Sequence, residues 1–335
     1  MAEAFVRGGS GQIGRAVAAR LARAGWSVRI GSRRPPPGAG AWRHVAMGDG
    51  LAAALGDGAD LLVDCIAFDE RDADRLVALG DRVGRVVAVS SASVYADPEG
   101  RTLDEALETG FPYFPMPIPV DHPTVAPGPE TYSTRKVAME RRLLAGLPRR
   151  ATVLRPCAIH GAWSKHAREW WFVKRLLDGR RAIPLAHGGR SRFQTTSVAA
   201  IAEAVERAAE GTSPEVVNVA DADAPDVAGI GRAIMAEMGV TADLVGLPDV
   251  PFPAETGVTP WSVPRPMVLA APVPAAGRYA DSVGQAVRWL VKAVDRGDWR
   301  SMVPQLAAYD RDHFDYGADD RGVAEPGAEV LERGV

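Results

Sequence analysis

The spacing Gly8-x-x-Gly11-x-x-Gly14, set between a short apolar run (Ala4, Phe5, Val6) and a helical period, constrains this chain more than any other feature. Each glycine has a separate physical task. Gly8 permits a tight exit from a strand, Gly11 removes a Cβ where backbone must approach a diphosphate, and Gly14 lets the next helix pack close on a sheet. Ile13, Val17 and Leu21 recur every four residues and give that helix one apolar stripe. Amides at a helix N-terminus attract phosphate oxygens, so Gly8, Ser10, Gly11, Gln12, Ile13 and Gly14 are candidate cofactor-binding residues. A second strand, Ser27 to Ile30, follows, and strand, turn, helix and strand then stand in the order a dinucleotide site requires.

Gly31-Ser32-Arg33-Arg34 comes next, ahead of Pro35-Pro36-Pro37-Gly38. An acid at this strand end would hold the ribose 2′-hydroxyl of NAD, whereas arginine suits the 2′-phosphate of NADP. No acid is present, so Ser32, Arg33 and Arg34 favour NADP(H), with NAD(H) the alternative. Trp42 to Met47 reads as a third strand, and Asp49 is both a plausible N-cap and a candidate contact for the adenine edge. Leu61 to Phe68 and Val83 to Ser90 are further apolar strand runs around a helical segment, Ala73 to Leu79. This alternation predicts an α/β fold, a doubly wound parallel sheet with ligands at the carboxyl ends of its strands, including Ala67 and Ser91.

A chain of 335 residues with 47% hydrophobic content allows about two domains. Its net charge of -3 argues against broad binding to nucleic acid or to an anionic membrane. No apolar run reaches the ~20 residues of a membrane span and no signal-peptide pattern opens the chain, so a cytoplasmic location is expected. Cys65 and Cys157 lie in apolar strand-like runs and read as buried thiols. No cysteine or histidine spacing suggests a metal site.

Tyr132-Ser133-Thr134-Arg135-Lys136 opens a long helical segment, and residues four apart share a helix face. A phenol with an ordinary pKa near 10 needs a shift of about three units, roughly 4 kcal/mol, to act near neutral pH. The Lys136 ammonium and a nicotinamide cation beside Tyr132 would supply it, and Ser91 would hold a substrate oxygen.

With these residues the chain resembles the extended short-chain dehydrogenase/reductases, the family of NAD-dependent epimerases and dehydratases. The resemblance rests on the Gly8, Gly11 and Gly14 turn, Ser91-Ala92-Ser93-Val94-Tyr95, Tyr132 and Lys136, and Leu154-Arg155-Pro156 through Gly161. Arg192-Phe193-Gln194 and Val216-Val217-Asn218-Val219 extend it to about residue 240. It implies a Rossmann-like domain with a smaller C-terminal substrate-binding domain. It also implies Tyr132 as general acid/base, Lys136 lowering the phenol pKa and holding the nicotinamide ribose, Ser91 orienting the carbonyl or hydroxyl, and Pro156 at the cofactor. The pattern has departures. Asn218 is the sole asparagine, Ala158 stands where nucleotide-sugar enzymes usually carry asparagine, and Ala92-Ser93 replaces the Asp-Glu pair of sugar dehydratases. Ala199-Ala200 follows Val198 in place of a usual acid.

The expected domains are 1–160 with roughly 192–240 for the dinucleotide, 161–191 with 241–321 for the substrate, and a flexible tail at 322–335. The proline-rich stretch Ala96 to Pro129 is too long for a plain connector and reads as part of the substrate mouth. Trp170, Trp171 and Phe172 read as core, and His160 and His166 as lining or structural residues; by resemblance an arginine near Arg192 would meet a pyrophosphate. The expectation is an NAD(P)-dependent oxidoreductase acting on a carbonyl or secondary alcohol. Alternatives are an epimerase of a sugar-like substrate with retained cofactor, and a non-catalytic cofactor-binding protein. A small-molecule substrate is expected and nucleic-acid or membrane partners are not; relatives in the family it resembles often dimerise through the helix matching the one that bears Tyr132 and Lys136, which makes a homodimer a possible assembly.

Overall fold

The computed structural model describes residues 1–38, 40–48, 50–249, 256–271, 277–294, 297–309 and 312–334. Asp49 lies outside the described residues. In chain order the strands are β1 Glu3–Arg7, β2 Ser27–Ser32, β3 Arg43–Ala46, β4 Ala59–Asp64, β5 Val83–Val89, β6 Ala151–Pro156, β7 Ala158–His160, β8 Ala182–Leu185, β9 Thr195–Ser197, β10 Val216–Val219, β11 Asp243–Gly246 and β12 Glu329–Glu332. The helices used below are α1 Gln12–Arg23, α2 Leu51–Leu55, α3 Glu70–Val77, α4 Ala106–Thr109, α5 Tyr132–Gly146, α6 Trp170–Leu177, α7 Val198–Ala209 and α8 Val227–Met238.

Two compact units divide the chain, the first comprising Met1–Cys157, Val198–Ala220 and Leu269–Ala276. It is built on a seven-stranded sheet in the order β10-β6-β5-β4-β1-β2-β3, with every pairing parallel. Strand order reverses at β1, which lies between β2 and β4, and such a switch point opens a crevice at the carboxyl ends of the strands. A parallel sheet covered on both faces needs apolar residues throughout, and Phe5, Val6, Leu62, Val63, Val87 and Val153 are all fully or nearly fully buried. On α1 the buried positions are Gly14, Val17, Ala18 and Leu21, so Val17 and Leu21 of the stripe read from the sequence are buried, while Ile13 is only partly so.

The second unit comprises Ala158–Ser197, Asp221–Val268 and Gly277–Val335. It holds the parallel ribbon β7-β9 and a three-stranded sheet β12-β11-β8, in which β12 is antiparallel to β11. The end of the chain departs from expectation. Instead of a frayed tail after Arg321, Tyr316–Val323 is helical and β12 pairs with β11. The ladder hydrogen bonds of that pairing offset the glycine and charge content that had suggested disorder. The buried helix α8, which the sequence had suggested for the dinucleotide domain, belongs to this second unit. Trp170, Trp171 and Phe172 are core residues there. No described helix is long and apolar enough to cross a membrane.

Candidate functional site

In the glycine turn of the first unit, Gly8 and Gly14 have no room for a side chain. Gly8 has φ +79°, and a Cβ on it would lie 2.7 Å from Ile66 Cγ2; one on Gly14 would lie 2.5 Å from the Gly8 carbonyl oxygen and 2.6 Å from Gly9 Cα. The turn is closed by Gly11 N–H donating to the Gly8 carbonyl at 3.0 Å, and Gly11 as N-cap of α1 offers no side-chain cap to the first-turn amides of Gln12 and Ile13. Arg15, unnoticed in the sequence, staples this turn to the next loop: Nε donates to Ser10 O at 3.0 Å and Nη1 to Pro37 O at 3.2 Å. At the end of β2, Ser32 Oγ donates to Arg34 O at 2.7 Å and folds the backbone so that both Arg33 and Arg34 are exposed. Neither guanidinium has a hydrogen-bond or ion-pair partner among the described residues.

Next along the crevice are the ends of β4 and β5. Ala67 is buried, and its carbonyl accepts from Lys136 Nζ at 2.6 Å; Val89 O accepts from the same ammonium at 3.0 Å. Lys136 is placed by α5, whose N-cap Thr131 accepts from Thr134 N–H at 3.3 Å while Thr134 Oγ1 accepts from Thr131 N–H at 2.9 Å. That reciprocal cap fixes Tyr132 as the first helical residue, and Lys136 follows one turn later with Nζ 5.9 Å from the Tyr132 ring centre. The Tyr132 ring packs against Phe68 at 5.7 Å. Ser91 Oγ accepts from Ser93 N–H at 3.1 Å, and the Ser91 side chain is near enough to the Tyr132 phenol to act on its titration. Ser91, Tyr132, Lys136 and Ala67 are thus brought together, and Ile66 carries this group to Gly8. Pro156, buried at the end of β6, lies two strands along the sheet from β4.

The electrostatics differ from expectation in one respect. Burial pushes the Tyr132 phenol up from its ordinary value; the neighbouring Ser91 side chain opposes this and the charge of Asp104 adds to it. The lowering expected from Lys136 is not what the polypeptide alone supplies. Lys136 itself is pushed down to about 8 by burial, opposed by Asp64 and more weakly by Glu140 and Asp72. Desolvation costs the ammonium more than its neighbours return.

A second group behind the first was missed in the sequence. Glu140, four residues after Lys136 on α5, forms a buried fork with Arg155 of β6, Oε2 to Nη2 at 2.6 Å and Oε1 to Nε at 3.1 Å. Arg155 also lies 5.0 Å from the Tyr95 ring centre and donates to Val120 O at 3.2 Å. Tyr95 donates to Asn218 Oδ1 at 2.6 Å, and Asn218 Nδ2 donates to Ile118 O at 3.3 Å and Ala270 O at 3.1 Å. The sole asparagine therefore clamps part of the long proline-rich stretch against β10. The available signal was the charge itself, since Arg155 interrupts an apolar run and a buried guanidinium requires a partner.

In the second unit, His160 Nε2 bonds Asp221 Oδ2 at 2.7 Å and its ring meets Tyr279 at 4.9 Å. His166 Nε2 meets Tyr309 Oη at 2.8 Å, and burial with Arg168 and His313 pushes it down to about 3. Arg192 Nε donates to Ala224 O at 3.0 Å, and Arg190 pairs with Asp249 at 2.8 Å.

Solved structures similar to this one include the Bordetella bronchiseptica enzyme WbmH in complex with NAD+, at 19% identity and TM-score 0.63, covering 87% of this chain and 99% of that one. MoeE5 in complex with UDP-glucose and NAD matches at 19% identity and TM-score 0.60, over 87% and 99%. UDP-N-acetylglucosamine 4-epimerase from Bacillus cereus matches at 14% identity and TM-score 0.63, over 86% and 99%. At these identities the likeness is one of fold, over nearly the whole of each of those chains. No protein-family model matches the chain, and neither does any curated protein.

Proposed function

We propose that the first unit binds NAD(P) and that the chain moves hydride between nicotinamide and a carbonyl or secondary alcohol. One observation carries the reading: the Lys136 ammonium, 5.9 Å from the Tyr132 ring centre, is held on the carbonyls of Ala67 and Val89, at the strand ends that lead to Ile66 beside Gly8 and to Ser91. The cradle fits a diphosphate, with the turn and the first amides of α1 around it. When bound, the nicotinamide supplies or accepts the hydride. Ser91 orients the substrate oxygen, Tyr132 gives or takes the proton at Oη, and Lys136 holds the nicotinamide ribose. A second positive charge, brought by the oxidised nicotinamide ring, would lower the phenol that burial has raised. Replacing Gly14 by alanine forces backbone apart by the 2.5 Å contact with Gly8. Expressed as lost binding, overpacking of about 1–3 kcal/mol corresponds to NADPH affinity lowered by roughly fivefold to 150-fold, measured by fluorescence titration.

The cofactor is read as NADP(H). WbmH and MoeE5 were solved with NAD, so the preference rests on this chain's own exposed Arg33 and Arg34 and the absence of an acid from Ser32 to Arg34. Arg33→Ala should weaken NADPH by roughly tenfold and NADH by less than about twofold. Equal losses would remove the 2′-phosphate assignment.

Epimerisation with retained cofactor is the second reading, favoured by the similarity to UDP-N-acetylglucosamine 4-epimerase. The same three side chains would serve. Stoichiometric consumption of NADPH by the purified protein with a carbonyl substrate supports the reductase, and turnover without net consumption supports the epimerase.

A further inference from the structure

Asp64, the last residue of β4, has a fully buried side chain. Its Oδ2 takes Arg7 Nη1 of β1 at 2.7 Å. Pairing with Arg7 occupies only that oxygen. Oδ1 accepts the N–H groups of Ile66 at 2.9 Å and Ala67 at 2.7 Å, curling the strand exit over the carboxylate. Arg7 Nη2 continues to Asp72 Oδ1 at 3.2 Å, and Asp72 Oδ2 accepts Phe68 N–H at 2.9 Å, securing the other side of the same loop. The loop so held presents the Ala67 carbonyl to Lys136 Nζ.

The charges make the same point. Asp64 and Asp72 bring two negative charges and Arg7 one positive charge, while Arg75, which also pairs with Asp72, is mostly in solvent. Glu140 is matched by Arg155. Arg75 meets Asp72 at 2.9 Å from the solvent side, so the charges of Asp64, Asp72, Arg7 and Arg75 match in number, and Lys136 is a further buried cation on which Asp64 acts. A buried charge without such compensation is costly.

We propose that Asp64 is a positioning residue for Lys136, fixing the carbonyl that anchors the ammonium and supplying the buried opposite charge where the nicotinamide ribose would lie. The inference rests on the cofactor reading above. Lys136 is faced by Asp64 and the Cys65 thiol at the end of β4, Asp72 of α3, and Tyr132 and Glu140 of its own helix. Burial pushes Lys136 down and Asp64 is the largest opposing influence; burial and Asp64 together push the Cys65 thiol up, which keeps it neutral.

The test is NADPH affinity by fluorescence titration, with NADH in parallel, from about pH 6 to about pH 10, for the wild type, Asp64→Asn and Asp72→Asn. An ammonium donating to ribose hydroxyls favours binding while protonated, so wild-type affinity should fall as pH rises through about 8. In Asp64→Asn the amide oxygen can still accept from Ile66 and Ala67 while the charge is gone. The midpoint should move down by roughly one pH unit, with affinity at the low end changed by less than about threefold. Asp72→Asn, where the lost charge has a smaller influence, should move it the same way by about half as much, and it decides the matter if circular dichroism shows Asp64→Asn unfolded. Midpoints equal to the wild type, or affinity lost evenly at every pH, would overturn the proposal and leave Asp64 a purely structural partner of Arg7. A wild type that binds neither cofactor at any pH would overturn the cofactor reading, and this inference with it.

Discussion

Replacing Tyr132 by phenylalanine lowers turnover by about two to four orders of magnitude while NADPH affinity stays within about threefold of the wild type. The ring remains packed on Phe68 and the cap at Thr131 is untouched, so α5 still begins at the same residue and Lys136 keeps its two carbonyl partners. What is lost is the hydroxyl beside Ser91 to which the proposal assigns the proton transfer. The two readouts therefore separate, which a general loosening of the site would not produce. Steady-state kinetics on a carbonyl substrate together with a cofactor titration measure both, and unchanged turnover removes Tyr132 from the reaction.

The largest stability effect falls on Glu140→Ala, which leaves the Arg155 guanidinium buried without its carboxylate and costs about 3–5 kcal/mol. Glu140, Lys136 and Tyr132 lie at four-residue intervals on one face of α5, so the Glu140 to Arg155 fork also fixes the rotation of that helix on β6. Denaturant unfolding measures the loss, and Glu140→Gln, which keeps an acceptor for the fork, should recover part of it. A loss below about 1 kcal/mol in the alanine variant would mean that the pair is screened and does not anchor the helix.

The local code of the first unit was legible. Glycine spacing, the four-residue stripe of α1 and the apolar runs each map to an element within a few residues, because a parallel sheet buried on both faces imposes near-continuous hydrophobic strands. Tyr132 and Lys136 were legible for the same reason, since helix periodicity alone puts them on one face. The networks under them were not. Asp64 meets Arg7 across 57 positions, Tyr95 meets Asn218 across 123, and no local period links such pairs. Their signal was weaker, a charged or amide residue within an apolar strand, which says that a partner exists without saying which. The same limit explains β12: glycine and charged residues at 322–335 carry no pattern that reveals an available edge on β11. The phenol's upward shift was also illegible, because it depends on how far Phe68 and the rest of the fold crowd a side chain that still reaches the surface.

The central claim is that the first unit is a dinucleotide site that favours the 2′-phosphate. Fluorescence titration of the purified wild type with NADPH and with NADH, after analysis of any cofactor carried through purification, tests it most directly. The account predicts saturable binding of both at one site, with NADPH tighter by roughly tenfold. No binding of either up to about 1 mM, in protein shown to be folded and free of bound nucleotide, would contradict it.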